Sequence, residues 1–153
     1  MKAGSDEINY RLIEATDLSE IIDLRGSTRE NAVNREELRS LGITEKSTTE
    51  LLRTTHRGWL CETGGKFVGF AIGNGSNGEL WVIAVLPDFE GKGIGSRLLS
   101  LTEDWLWSLG WKELWLYTNP DPKVRASHFY RRRGWTDSET KDGKLYMKKK
   151  RQS

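Results

Sequence analysis

A chain of 153 residues has the length of one domain, and its one cysteine and two histidines exclude a disulfide scaffold and a zinc module. Lys and Arg number 24 against 22 Asp and Glu, a net charge of +2, too mild for the concentrated basic face that nucleic acid asks for. No apolar run approaches the roughly 20 residues of a membrane span, and the start MKAGSDEINY lacks the apolar stretch of a secretory signal.

These features point to a single domain over residues 1–153, resident in the reducing cytoplasm, without a membrane or nucleic-acid partner. The charge is uneven along the chain: residues 1–75 carry 10 basic and 12 acidic side chains, and residues 76–153 carry 14 and 10. An anionic partner therefore belongs with the second half. The seven tryptophans are spread through strand-like and helix-like segments, as core and wall material.

In chain order, Ile8, Tyr10 and Leu12 alternate with polar residues and predict a first strand. Asp17 with Glu20, Asn34 with Glu37 and Ser47 with Glu50 have the spacing of capping boxes and predict three short helices. Between the first two, Arg25 to Asn34 is polar and reads as a loop. From Gly58 onward, apolar runs at 59–62, 67–73 and 80–86 are separated by Gly64-Gly65 and Asn74–Gly78, the pattern of an antiparallel meander. Pro87 ends the third run. Ile94, Leu98, Leu101, Trp105 and Leu109 then recur at helical spacing until Gly110. The run Leu114–Thr118 follows, so strand, crossover helix and strand form a parallel unit. Asp121 and Pro122 open another helix, with Ala126, Phe129 and Tyr130 on one face and Gly134 at its end. A last hairpin turns at Asp142-Gly143 and ends in Leu145–Lys148, with the tail Lys148–Arg151 read as a solvated end.

The most informative stretch runs from Val82 to Arg97. A strand leads into Gly91, Gly93 and Gly95 at alternate positions and then into a helix, an arrangement suited to a phosphate or diphosphate. Two familiar nucleotide motifs fail on spacing. Gly93 and Gly95 are followed by Leu98 where a dinucleotide fingerprint has its third glycine, and Lys92 is followed by Gly93 rather than by Ser or Thr.

This segment resembles the coenzyme A signature of the GCN5-related N-acetyltransferase (GNAT) family, Q/R-x-x-G-x-G/A after a strand ending in V-x-P. Residues Ala126 to Trp135, A-S-H-F-Y-R-R-R-G-W, are similar to that family's A-x-x-F/L-Y-x-x-x-G-F segment. The order of elements also fits, so the resemblance covers nearly the whole chain. It implies an α/β fold: a mixed central sheet, flanked by helices, whose two parallel strands splay apart around the cofactor.

The resemblance further implies transfer of an acetyl group from acetyl-CoA, without a metal, to a primary amine by direct attack in a ternary complex. Ile83, Ala84 and Val85 would face the acetyl and pantetheine arm. Gly91, Lys92, Gly93, Ile94, Gly95 and Ser96 would hold the diphosphate, with Arg97 available for charge, and Asn119 would touch pantetheine. Tyr130 matches the family's general acid, Glu79 is the candidate base, and Arg29, Glu30 and Asn31 lie where acceptor-binding residues are expected. The acceptor would be a small-molecule amine or a protein amino group, and a homodimer is compatible with the resemblance. The alternative is a non-catalytic acyl-CoA-binding module. Two positions depart from the pattern: Glu90 replaces glutamine or arginine and should point away or pair with Lys92 or Arg97, and Lys123 stands where asparagine is common. Three further features read as structural: Cys61 as a buried strand thiol, His128 as partly exposed, and Arg131–Arg133 as an outward-facing basic run, the alternative for that run being contact with the cofactor's 3′-phosphate.

Overall fold

The computed structural model describes residues 7–30 and 32–152. Seven strands form one sheet: β1 (Asn9–Leu12), β2 (His56–Thr63), β3 (Lys66–Asn74), β4 (Glu79–Val85), β5 (Glu113–Thr118), β6 (Thr136–Lys141) and β7 (Lys144–Lys150), in the order β1-β2-β3-β4-β5-β7-β6. All neighbours are antiparallel except β4 and β5, which are parallel. The helices are α1 (Leu18–Arg25), α2 (Arg35–Ser40), α3 (Glu45–Thr54), α4 (Ile94–Ser108) and α5 (Arg125–Arg131). Meander, crossover and final hairpin are those expected from the sequence. No helix among the described residues is long and apolar enough to cross a membrane.

β3 is buried on both faces, and its alternating side chains divide the core. Phe70 and Ile72 meet Leu18, Ile21 and Leu24 of α1. Ala71, and Val68, which is the extra residue where the β2–β3 register shifts, meet Ile94 and Leu98 of α4 on the other face, beside the buried Cys61. Further along α4, Leu99 and Leu106 pack on Leu114 and Leu116 of β5 and on Leu145 and Met147 of β7. Leu98, Leu99 and Leu106 are at most 2% exposed, and each such leucine contributes about 1.5–3 kcal/mol by burial. One helix therefore clamps both halves of the sheet, which lets β4 and β5 separate without splitting the core.

Several local expectations are corrected. Asn34 and Glu37 do form a capping box at α2. Asp17 does not cap α1: Arg11 donates to its two carboxylate oxygens at 2.8 and 2.9 Å, and the Glu14 N–H donates to it at 2.8 Å. At α3 the cap is Thr44 with Ser47, three residues before the expected pair. α5 begins at Arg125, because Asp121 turns the chain by accepting the Lys123 N–H at 2.9 Å. Of the basic tail, Lys148, Lys150 and Arg151 are exposed as expected, but Lys149 is not. Residues to Lys150 belong to β7, and Lys149 Nζ donates to Glu103 Oε1 at 2.9 Å while Trp135 Nε1 donates to Glu103 Oε2 at 2.9 Å. The buried carboxylate of Glu103 is satisfied on both oxygens, as burial requires.

Candidate active site

β4 and β5 pair at a single register position, Glu79 with Trp115. Indole N–H groups pin that end: Trp111 donates to the Gly75 carbonyl at 2.9 Å and Trp115 to the Asn77 carbonyl at 3.1 Å. Just beyond, the register on β3 shifts. Ile72 faces Val82 and Gly73 faces Leu80, which leaves Trp81 as an extra residue. Such a bulge bends a strand and increases its twist, and here β4 leaves β5. The facing edges lose their ladder partners, and backbone groups without partners must find others. The opening is a cleft of about 830 Å³.

Most residues singled out by the sequence border this cleft. Ile83, Ala84 and Val85 form one wall, Asn119 stands at the end of the other, and Gly91, Gly93, Gly95 and Ser96 close the far end. Tyr130, Arg29 and Glu30 border it as well. Ile94 is 1% exposed, with its side chain in the core, so it can offer the cleft only its backbone. Lys92 and Arg97 are exposed and do not border the cleft. Glu79, the candidate base, does not border the cleft either: it is buried at the paired end of β4, next in sequence to the wall residue Leu80. Asn31 lies outside the described residues.

The turn before α4 is built to present amides. Gly93 is the N-cap with φ 84°, and no side chain caps the helix. The first intrahelical bond is from the Arg97 N–H to the Gly93 carbonyl at 3.1 Å, so the N–H groups of Ile94, Gly95 and Ser96 have no intrahelical acceptor. An anion is favoured at this end of the 15-residue helix. Gly95 also lets α5 come close: a Cβ there would lie 3.2 Å from the Phe129 ring.

Ala126, Phe129 and Tyr130 share the cleft-facing side of α5, as their spacing predicts. The Tyr130 ring is held edge-on between Phe129, with centroids 5.3 Å apart, and Trp135, at 6.0 Å. Burial pushes the Tyr130 phenol up to about 12, against the field of the Arg25 guanidinium, which lowers it. Arg25, at the end of α1, has its own pKa lowered by burial. Burial also raises the Glu79 carboxyl above the usual carboxylate range, opposed by its hydrogen bond with Asn77.

Glu90 points neither away nor toward Lys92 or Arg97. Arg29 Nε donates to Glu90 Oε1 at 2.9 Å, and the Arg125 guanidinium donates to the same oxygen. Lys123, exposed and off the cleft wall, makes no side-chain contact with it. The run Arg131–Arg133 is not uniformly outward. Arg131 pairs with Asp137 at 2.9 Å, but Arg133 turns in, stacks 3.8 Å from the Phe129 centroid and donates to Ser96 Oγ at 2.6 Å. His128 stays on the outer side, its Nε2 2.8 Å from the Pro122 carbonyl oxygen. Arg25 and Arg125 were not singled out by the sequence, and Arg133 only as one member of a basic run. Their only signal was charge, and charge does not tell which arginine of a polar stretch faces inward.

Comparison with known proteins gives the following. A family model described as Acetyltransferase (GNAT) family matches residues 18–135. No curated protein matches the sequence significantly. Among solved structures, the chain is similar to the PaiA N-acetyltransferase from Thermoplasma acidophilum in complex with coenzyme A. That likeness has a TM-score of 0.80 and 21% identity, and covers 95% of this chain and 99% of the other. The ribosomal-protein-S18-alanine N-acetyltransferase from Escherichia coli matches with TM-score 0.73 and 22% identity over 94% of each chain. A spermidine N-acetyltransferase chimera that includes the Vibrio cholerae enzyme matches with TM-score 0.68 and 17% identity, over 94% of this chain and 95% of the other. At these identities the likeness is one of fold.

Proposed function

This chain belongs to the GNAT acetyltransferase family, and we propose that it transfers an acetyl group from acetyl-CoA to a primary amine within a ternary complex. The observation that carries the reading is the bulged strand β4, which leaves β5 after one paired position and opens a cleft ending in the uncapped amides of α4. The residues present fit the donor. Unpaired strand edges suit the amide-bearing pantetheine arm, and the amides of Ile94, Gly95 and Ser96 suit a diphosphate. Arg133, fixed to Ser96 and Phe129, adds a cation beside that turn.

Bound acetyl-CoA supplies an activated acetyl group. An amine must be neutral to attack, and the base in this reading is Glu79, which is buried behind the wall residue Leu80, does not itself border the cleft, and so takes the proton through water. Tyr130 remains protonated at neutral pH, so its hydroxyl can donate to the departing sulfur and pass its proton on as charge develops there. The nearby Arg25 cation favours that transfer by stabilising the phenolate. Arg29 and Glu30, expected on the acceptor side, lie on the rim next to Glu90 and Arg125.

Two measurements test the reading. Coenzyme A should raise the melting temperature, since a ligand that binds only the folded state adds stability by mass action. A screen of diverse amines with acetyl-CoA, read by released thiol, should give turnover, and Tyr130→Phe should lower kcat by about a hundredfold with coenzyme A affinity unchanged. Absence of a melting shift rejects the donor. A shift without turnover on any amine leaves only a coenzyme A binding module.

A further inference from the structure

Glu90 sits beside the turn where a diphosphate is expected, and a carboxylate there opposes an anion. Its Oε1 is held from two sides, by Arg29 Nε at 2.9 Å and by the Arg125 guanidinium. Next to Arg29, Glu30 Oε1 accepts the Arg125 backbone N–H at 2.8 Å. These contacts tie the segment between α1 and α2 to the glycine turn and to the start of α5, and all four residues border the cleft. The two guanidiniums keep 55% and 56% of their side-chain surface exposed, whereas the carboxylate between them keeps 21%. Both arginines can therefore exchange one anion for another without leaving water. A guanidinium fork matches phosphate oxygens at least as well as it matches a carboxylate.

We propose that Arg29 and Arg125 are ligands of the donor's diphosphate, held in place by Glu90 until the donor arrives. The inference rests on the acetyl-CoA reading above. Glu90 competes with the diphosphate for the two guanidiniums and so lowers donor affinity. Because Arg29 and Glu30 belong to the segment between α1 and α2, the exchange also links the position of that segment to donor binding, and the link is reciprocal.

Isothermal titration of the full chain with coenzyme A and with dephospho-coenzyme A, which keeps the diphosphate and lacks the 3′-phosphate, tests this at low and moderate salt. Glu90→Gln should bind both ligands about threefold to fivefold more tightly, the scale of one exposed charge pair. Arg29→Gln and Arg125→Gln should each bind both more weakly and with a shallower salt dependence. In the double variant E90Q/R29Q the gain from E90Q should shrink, since one competing guanidinium is gone. If E90Q binds no more tightly than wild type and only lowers the melting temperature, the cluster is structural and the proposal fails. If the effects appear with coenzyme A and vanish with dephospho-coenzyme A, the arginines meet the 3′-phosphate and the proposal also fails. A wild-type chain that binds neither ligand sinks the acetyltransferase reading itself, a different outcome from wild-type binding that E90Q leaves unchanged.

Discussion

A carboxyl buried as deeply as Glu79 separates its two roles, in stability and in chemistry. Burial raises its pKa in the folded chain above the ordinary carboxylate range, so the folded state holds the proton more tightly than the unfolded state. Stability from this group is present at low pH and is lost as pH rises through the folded pKa. Once ionised the side chain is a burden to the fold, so toward high pH Glu79→Gln should melt at or above the wild-type temperature. The same variant should lose turnover by about a hundredfold if the carboxylate accepts the amine proton. A lower melting temperature would make Glu79 a structural partner, and undiminished turnover would remove it as the base. Tyr130, the proposed acid, was singled out by the resemblance of its segment before its environment was known. Its spacing from Ala126 and Gly134 marks it, yet its rise to about 12 comes from Phe129, Trp135 and the walls around it.

The element that organises the site is the junction of β4 and α4. Gly93 sits at φ 84° with open space where a Cβ would go, so a side chain there meets no neighbour and the whole cost is backbone strain, about 1–2 kcal/mol. Gly93→Ala should relieve that strain by turning the amides of residues 94–96, which raises the coenzyme A Kd by about tenfold, or about 1.4 kcal/mol, with helix content by circular dichroism unchanged. Unaltered affinity in a folded G93A would mean that those amides do not hold the donor. Local rules read this junction well, because a residue's need for positive φ and a helix's first turn are both encoded in adjacent positions. They failed at α1. Asp17 has the spacing of a cap, but a charged partner on β1, Arg11, outcompetes the local N–H, and only a folded chain brings the two together in that geometry.

For the molecule as a whole, two groups make the fold sensitive to acid in separate ranges. His56 is buried at 8% exposure, edge-on to Trp81 at 4.9 Å, and burial lowers its pKa below 6.5. The unfolded chain therefore takes up that proton first, and stability is lost as pH falls from about 6.5 toward the folded pKa. Asp17 is held below the usual carboxylate range by the hydrogen bonds from Arg11, so its contribution persists above a pH of about 4 and is lost below it. Melting temperatures measured across pH should fall in both ranges, and His56→Gln should flatten the upper one. An unchanged upper slope in H56Q would assign that step to another group. The kinds and order of the elements, the glycine turn ahead of α4 and the tyrosine on α5 were legible in the residues alone, because hydrophobic period and backbone angle depend on near neighbours. The tertiary structure decided where β4 parts from β5, that Glu90 is held by arginines 61 and 35 residues away, and that Arg133 turns inward. Those outcomes depend on which distant side chains compete for the same atoms, and that competition exists only after the sheet and its helices have assembled.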